Sequence, residues 1–189
     1  RDKCLHEIKG KLPERIKKLV VINNAAEQII KSVPEIEWED WESSLAINTL
    51  APFFLVQGLL EELKRSFGHV VNISSIHAKL TKAQFTCYAV SKAALDGLTR
   101  SLALELSPKG ISVNAVSPAA ISTEMLKAGF KGQPEKLIEL EACHPSGTIG
   151  SPDQVSLFVK AITDQEGGFI TGAILDVNGG ISGRLYDPG

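Results

Sequence analysis

No apolar stretch in these 189 residues approaches the ~18 needed to cross a bilayer, and the first residues lack the charged-then-apolar order of a secretion signal. Cysteine is scarce: Cys4, Cys87 and Cys143 are odd in number, widely spaced and free of any Cys-x-x-Cys pair, which argues against a disulfide framework and a thiolate zinc site. The four histidines, His6, His69, His77 and His144, are equally scattered, so no metal is predicted. An excess of charge is missing too. Twenty Lys and Arg face 22 Asp and Glu, the net charge is −2, and the only basic run is Lys17-Lys18, leaving no electrostatic reason to bind nucleic acid. Low-complexity segments, repeats and linkers are also absent. With 43% hydrophobic and 22% charged residues, the chain reads as a single globular domain over 1–189, soluble and cytoplasmic.

What is present is an alternation of two periods. Strand signals fall at Leu19 to Asn23, His69 to Ile73, Ile111 to Val116 and Ala173 to Val177. Between them, Trp41 to Phe67 carries Leu45, Phe54, Leu55, Leu59, Leu60 and Leu63 at helical spacing, with Gly68 able to end the helix. Ala89 to Leu106 repeats the pattern and is stopped by Pro108 and Gly110, and Pro152 to Ile162 makes a shorter helix before Gly167-Gly168. Strands alternating with helices over short connections predict an α/β fold, a doubly wound parallel sheet between helical layers. In such a sheet, ligands gather beyond the carboxyl ends of the strands.

Chemistry-bearing residues stand at those ends. Tyr88 and Lys92 are one helical turn apart on one face, so the ammonium can lie close to the phenol and favour the phenolate. Ser75 lies thirteen residues before the tyrosine, at the end of a strand. The sequences Val71-Asn72-Ile73-Ser74-Ser75 and Tyr88-Ala89-Val90-Ser91-Lys92 resemble the short-chain dehydrogenase/reductase family. Leu19 to Ala26 is similar to that family's fourth strand and its Asn-Asn-Ala-Gly turn, and Asn48 matches its helix asparagine. Asn114 to Pro118 and Ile170 to Gly180 resemble its sixth and seventh strands, so the likeness covers nearly the whole chain in order.

The resemblance implies a Rossmann-like three-layer sandwich and hydride transfer between NAD or NADP and a carbonyl or alcohol. Ser75 would hold the substrate oxygen, Tyr88 would exchange its proton, and Lys92 would tune Tyr88 and hold the nicotinamide ribose. Asn48 would keep a local helix distortion and a proton-relaying water. Cofactor contacts would come from Asn24, Ala25, Ala26, Tyr88, Lys92, Pro118, Ala119, Ile121 and Thr123. A homodimer or homotetramer is implied as well. Ser74 is expected to be structural.

Two departures stand out. Ala26 and Ala119 occupy positions where the family has glycine, and a positive φ at Ala119 would be strained. The glycine-rich phosphate turn has no counterpart, since Gly10 is the only glycine before Asn23. The chain therefore reads as the C-terminal part of a longer protein, with the N-terminal strands of the fold missing. Leu19 to Ile22, an apolar run without proline or inward charge, would be an edge inviting another strand. The same features leave open a second reading, a catalytically inactive relative kept as an interaction or regulatory module, or a fragment that binds no cofactor.

Other residues carry plainer readings. Cys87 reads as a small buried hydrophobe rather than a reactive thiol. His77 reads as a solvent-facing loop histidine rather than a second proton donor. Glu37 to Glu42, with Trp38 and Trp41, reads as a capped helix start. Substrate choice is assigned to Ala119 to Gly150 with Ile76 to Thr86, a mixture of apolar Met125, Leu126 and Phe130 with Lys127, Lys131 and Lys136 that fits an alcohol, ketone, enone or sugar carbonyl alike.

Overall fold

The structure, a computed structural model, describes residues 2–165 and 168–185. Gly167 and the tail beyond Leu185 lie outside the described residues, as does the side chain of Met125. Four strands form one parallel sheet in sequential order: β1 (Val20–Asn23), β2 (His69–Ile73), β3 (Ser112–Pro118) and β4 (Ile174–Val177). Every residue of β3 is buried and β2 is nearly so, as expected of central strands covered on both faces. Strand β1 is an edge, and Ile22 is half exposed on it.

Alternate residues along the strands feed two cores. On one face Val21, Val70 and Val113 pack with Val56, Leu63, Leu102 and Leu106. Those side chains come from α3 (Ala51–Gly58), α4 (Leu60–Lys64) and α5 (Thr86–Leu106), and α1 (Asp2–Gly10) adds Leu5 and Ile8. On the other face Val71 and Val116 meet Val159 and Ile162 of α8 (Pro152–Thr163). Helices therefore cover both faces of a parallel sheet, the three-layer arrangement the alternation predicts. Helix α8 starts where its sequence says it should: Ser151 accepts from the Gln154 amide at 3.2 Å and Gln154 reaches back to the Ser151 amide at 2.8 Å.

The stretch expected as one helix from Trp41 to Phe67 is interrupted. Helix α2 (Trp38–Leu45) runs into a π-helical turn at Ala46–Leu50 before α3, and the chain breaks again at Leu59, where φ is −101° and ψ is 13°. Apolar spacing alone does not register a one-residue bulge, because the stripe re-forms on the same side. The start of α2 is capped as expected, with Asp40 accepting from the Glu37 amide at 2.8 Å and pairing with Lys31 at 2.8 Å.

Candidate active site

Three chain segments meet beyond the carboxyl ends of β1, β2 and β3. After β2 the chain makes an extended residue at Ser75 and then a 3-10 turn at Ile76–Ala78, closed by the His77 amide donating to Ser75 Oγ at 3.2 Å. With its oxygen accepting from backbone, the Ser75 hydroxyl proton is free to donate, and the hydroxyl is near enough to the Tyr88 phenol to pull its pKa down. Tyr88 sits in the first turn of α5, two residues after its start at Thr86. The sequence placed that start at Ala89, three residues too late.

Lys92, one turn further on, is buried at 2% exposure and donates to the Ile73 carbonyl at 2.7 Å. Its Nζ lies 5.7 Å from the centre of the Tyr88 ring. Burial lowers its pKa to about 8, against a smaller opposing pull from Asp96. Tyr88 behaves differently from the sequence expectation: burial pushes the phenol up from its ordinary value, and only the bond from Ser75 works the other way. Loss of water around a phenolate outweighs a cation whose ammonium points to a carbonyl instead of the phenol oxygen.

Asn48 is held in the π-helical turn, which is where the helix distortion was expected. Its amide clamps the chain after β1 from both sides, accepting from the Glu27 amide and donating to the Glu27 carbonyl, each at 2.8 Å. The same Nδ2 donates to Ser91 Oγ at 2.9 Å, and Ser91 in turn donates to the Tyr88 carbonyl at 2.8 Å. A single buried amide thus fixes the turn after β1 relative to the helix bearing Tyr88 and Lys92.

Sequence reasoning missed Asp96. It lies one turn beyond Lys92, buried, and Ser74 Oγ donates to its carboxylate at 2.5 Å. Burial raises its pKa, opposed by Ser74, Lys79 and Arg100. A carboxylate at i+4 from a buried lysine on a core-facing stripe is the signal that could have found it. Ser74 is structural in this sense, tying β2 to α5. Cys87 is buried with its thiol pushed up by burial, the reading the sequence favoured. His77 is the correction. Instead of facing solvent it is half buried, stacked on Phe85 at 4.5 Å between ring centres and edge-on to Tyr88 at 5.8 Å.

The expected cofactor residues follow β1 and β3. Asn24 and Ala25 follow β1 and line the mouth of an apolar cavity of about 620 Å³ beside it. After β3, the Ala119 amide donates to the Val177 carbonyl at 3.2 Å, and Ala119 keeps an ordinary negative φ, so the strain considered from the sequence does not arise. Residues 120–122 then run parallel to Gly150: the Gly150 amide donates to Ala120 and the Ser122 amide donates to Gly150, at 2.9 and 2.8 Å. Thr123 caps α6 (Glu124–Gly129), accepting from the Leu126 amide at 3.2 Å while its own proton remains available. Helix α7 (Pro134–Ala142) follows, so the segment read as the substrate cover carries two helices the sequence reading did not assign.

This donor set fits the nicotinamide and ribose end of a dinucleotide. Lys92 has N–H groups beyond its bond to Ile73, Tyr88 and Thr123 offer hydroxyls, and Ile121 supplies an apolar neighbour. The glycine-rich turn that would receive the pyrophosphate is not in this sequence. Among the described residues, no three His, Cys, Asp or Glu side chains converge as metal ligands.

The family model described as enoyl-(acyl carrier protein) reductase, one of the short-chain dehydrogenase/reductase models, matches residues 3–182. The chain belongs to the short-chain dehydrogenase/reductase family. It is 34% identical over 163 residues to the 3-oxoacyl-[acyl-carrier-protein] reductase FabG of Aquifex aeolicus, covering 86% of this chain and 64% of that protein. With the acetoacetyl-CoA reductase of Cupriavidus necator it shares 33% identity over 165 residues, covering 86% of this chain and 65% of the relative. The structure of ElxO with NADP bound superposes with a TM-score of 0.87 at 27% identity, over 97% of this chain and 73% of the other. The chain therefore spans just under two thirds of the length of these curated relatives.

Proposed function

We propose that the protein carrying this chain is an NAD(P)(H)-dependent oxidoreductase acting on a carbonyl or alcohol, with Ser75, Tyr88 and Lys92 as its proton-transfer centre. The carrying observation is the Ser75 hydroxyl acting on a half-buried Tyr88 phenol, with the Lys92 Nζ 5.7 Å from the centre of that ring. A carbonyl oxygen entering between the two hydroxyls would accept a hydrogen bond from Ser75 and the proton of Tyr88. The raised pKa keeps Tyr88 protonated at neutral pH, which suits it to donate in the direction of reduction. Lys92, Asn24, Ala25, Ala26, Pro118, Ala119, Ile121 and Thr123 would hold NAD or NADP, which supplies the hydride. Asn48 positions the turn after β1 and the start of α5, and a water held there would complete a relay to Lys92.

Small-molecule chemistry in the cytoplasm, by a homodimer or homotetramer, accords with this reading. Leu104 of α5 and Phe169 are 82% and 96% exposed, apolar surface suited to a second copy. No described helix is long and apolar enough to cross a membrane. One observation favours a non-catalytic interaction module instead: the apolar cavity beside the β1 edge is a ready docking face. Titrating the protein with NADH or NADPH while following nicotinamide fluorescence, then adding a small ketone, separates the two. Saturable binding followed by loss of the reduced nicotinamide supports the oxidoreductase, and an absence of saturable binding refutes it.

A further inference from the structure

Two neighbouring residues at the end of β2 are gripped by two residues one turn apart on α5. The Ile73 carbonyl accepts from Lys92 Nζ at 2.7 Å, and the Ser74 hydroxyl donates to the Asp96 carboxylate at 2.5 Å. The three side chains are buried, with Lys92 2%, Ser74 3% and Asp96 5% exposed. Ser74 is anchored in turn, its amide donating to the Val116 carbonyl of β3 at 2.8 Å. Residues four apart on a helix share a face, so the ammonium and the carboxylate meet the same strand end from successive turns. Tyr88 lies one turn before Lys92 on that helix.

A buried ammonium without a compensating negative charge sheds its proton readily. The Ile73 carbonyl offers Lys92 a dipole but no charge. Among the described residues, the charge that favours the ammonium against burial is Asp96. Burial works against the Asp96 carboxylate, while Ser74, Lys79 and Arg100 favour it and Asp176 of β4 opposes it. Lys79 and Arg100 are exposed, and Lys79 is shared with Asp176, its ion-pair partner at 3.2 Å. Of the other elements packed on α5, β3 and the π-helical turn carry no titratable side chain, and the acids of α2 act on neither group. His77, in the 3-10 turn, meets the Tyr88 ring edge-on, its charge disfavoured by burial and by Lys82. Lys92 and Asp96 are thus opposite charges buried one turn apart, each tied to a different residue of one strand end.

We propose that Asp96 is the counter-charge and positioning residue of Lys92: its carboxylate, locked by Ser74, keeps the Lys92 ammonium charged and seated on the Ile73 carbonyl beside Tyr88. Its effect on turnover rests on the oxidoreductase reading of Tyr88 and Lys92, whereas its effect on the charge of Lys92 stands apart from that reading. The action is indirect. A protonated Lys92 has N–H groups to offer a ribose and a charge to place beside the phenol, and Asp96 keeps that proton in place. Removing the carboxylate leaves a buried cation uncompensated, so the proton departs at lower pH.

The test labels the protein with 13C at lysine Cε and follows the Lys92 signal, identified by its loss in Lys92→Met, by NMR over a pH titration. The midpoint is expected near pH 8. Asp96→Asn, which keeps the size and an acceptor for Ser74, should lower that midpoint by about one pH unit. Asp96→Leu, neutral and of similar volume, should lower it too and serves if the amide disturbs packing. Asp96→Glu, which restores the charge, should bring it back toward the parent value. A midpoint that both neutral variants leave unmoved or raise overturns the proposal. Reduction of methyl acetoacetate by NADPH gives the functional reading: the alkaline limb of the rate should move down with the midpoint, a loss of about fivefold at pH 8. A rate lowered equally at every pH with the midpoint unmoved is the mark of a merely structural Asp96 and also overturns it. If the midpoint falls while no variant or parent reduces the ketone, the oxidoreductase reading fails and the counter-charge role stands.

Discussion

Lys92 sets its proposed role against stability. The ammonium is buried and its pKa falls to about 8 from an ordinary 10.5. A depressed pKa means that the folded state binds fewer protons than the unfolded chain between those values. The resulting penalty is full below about pH 8 and relieved as pH rises toward 10.5. Replacing Lys92 with Met should therefore stabilise the protein at neutral pH, by up to ~3 kcal/mol before loss of the bond to Ile73 is counted. Urea denaturation at pH 7 and at pH 10.5 checks this, with the gain expected to shrink at the higher pH. An equal gain at both would show that burial of charge is not the cause. The variant should also lose turnover, since no amine remains beside Tyr88. That Tyr88 and Lys92 lie close together was legible from their spacing. Their electrostatics were not, because a pKa depends on burial and on which group the ammonium meets, and neither is written in residue separation.

At the scale of elements, the junction of α4 and β2 corrects a simple reading of glycine. Gly68 was expected to end the helix, but the left-handed residue there is Phe67, with φ of 46° and 78% exposure. Gly68 is needed for close approach: a Cβ would come within 2.9 Å of the Leu63 carbonyl oxygen and nearer still to the Leu63 side chain. Its amide donates to that carbonyl at 3.1 Å, and its own carbonyl accepts from Ser112 at 3.0 Å, linking helix end to β3. Gly68→Ala should cost ~1–3 kcal/mol in chemical denaturation. Phe67→Gly, by contrast, should be neutral or stabilising by up to ~1 kcal/mol. If Gly68→Ala proves harmless, the backbone here yields more readily than its contacts indicate. Strand β2 falls at His69–Ile73, where the alternation put it, because a run of β-branched residues between a glycine and serines has one interpretation. The π-helical turn escaped because Asn48 is needed there for its side-chain bonds, and the apolar pattern passes through it undisturbed.

Across the whole molecule, sequential parallel strands bring the ends of β1, β2 and β3 to one rim, and that topology assembles a site from residues 24 to 123. The order of strands and the two helical layers could be read from alternating periods. Helix α1 could not, since its few apolar residues gain meaning only from packing Leu5 and Ile8 onto the core beneath α3 and α4. The edge at β1 was foreseen from an apolar run lacking proline or charge, and the cavity beside it marks the side on which this chain's sheet is uncovered. The proposed catalytic rim lies at the carboxyl ends of the strands, where the segments bearing Ser75, Tyr88 and Lys92 come together. The most direct measurement is turnover of Tyr88→Phe in the protein carrying this chain, with cofactor affinity measured beside it. The account predicts a fall in kcat of about 10²–10⁴-fold with cofactor binding nearly intact; a variant that retains its turnover would contradict it.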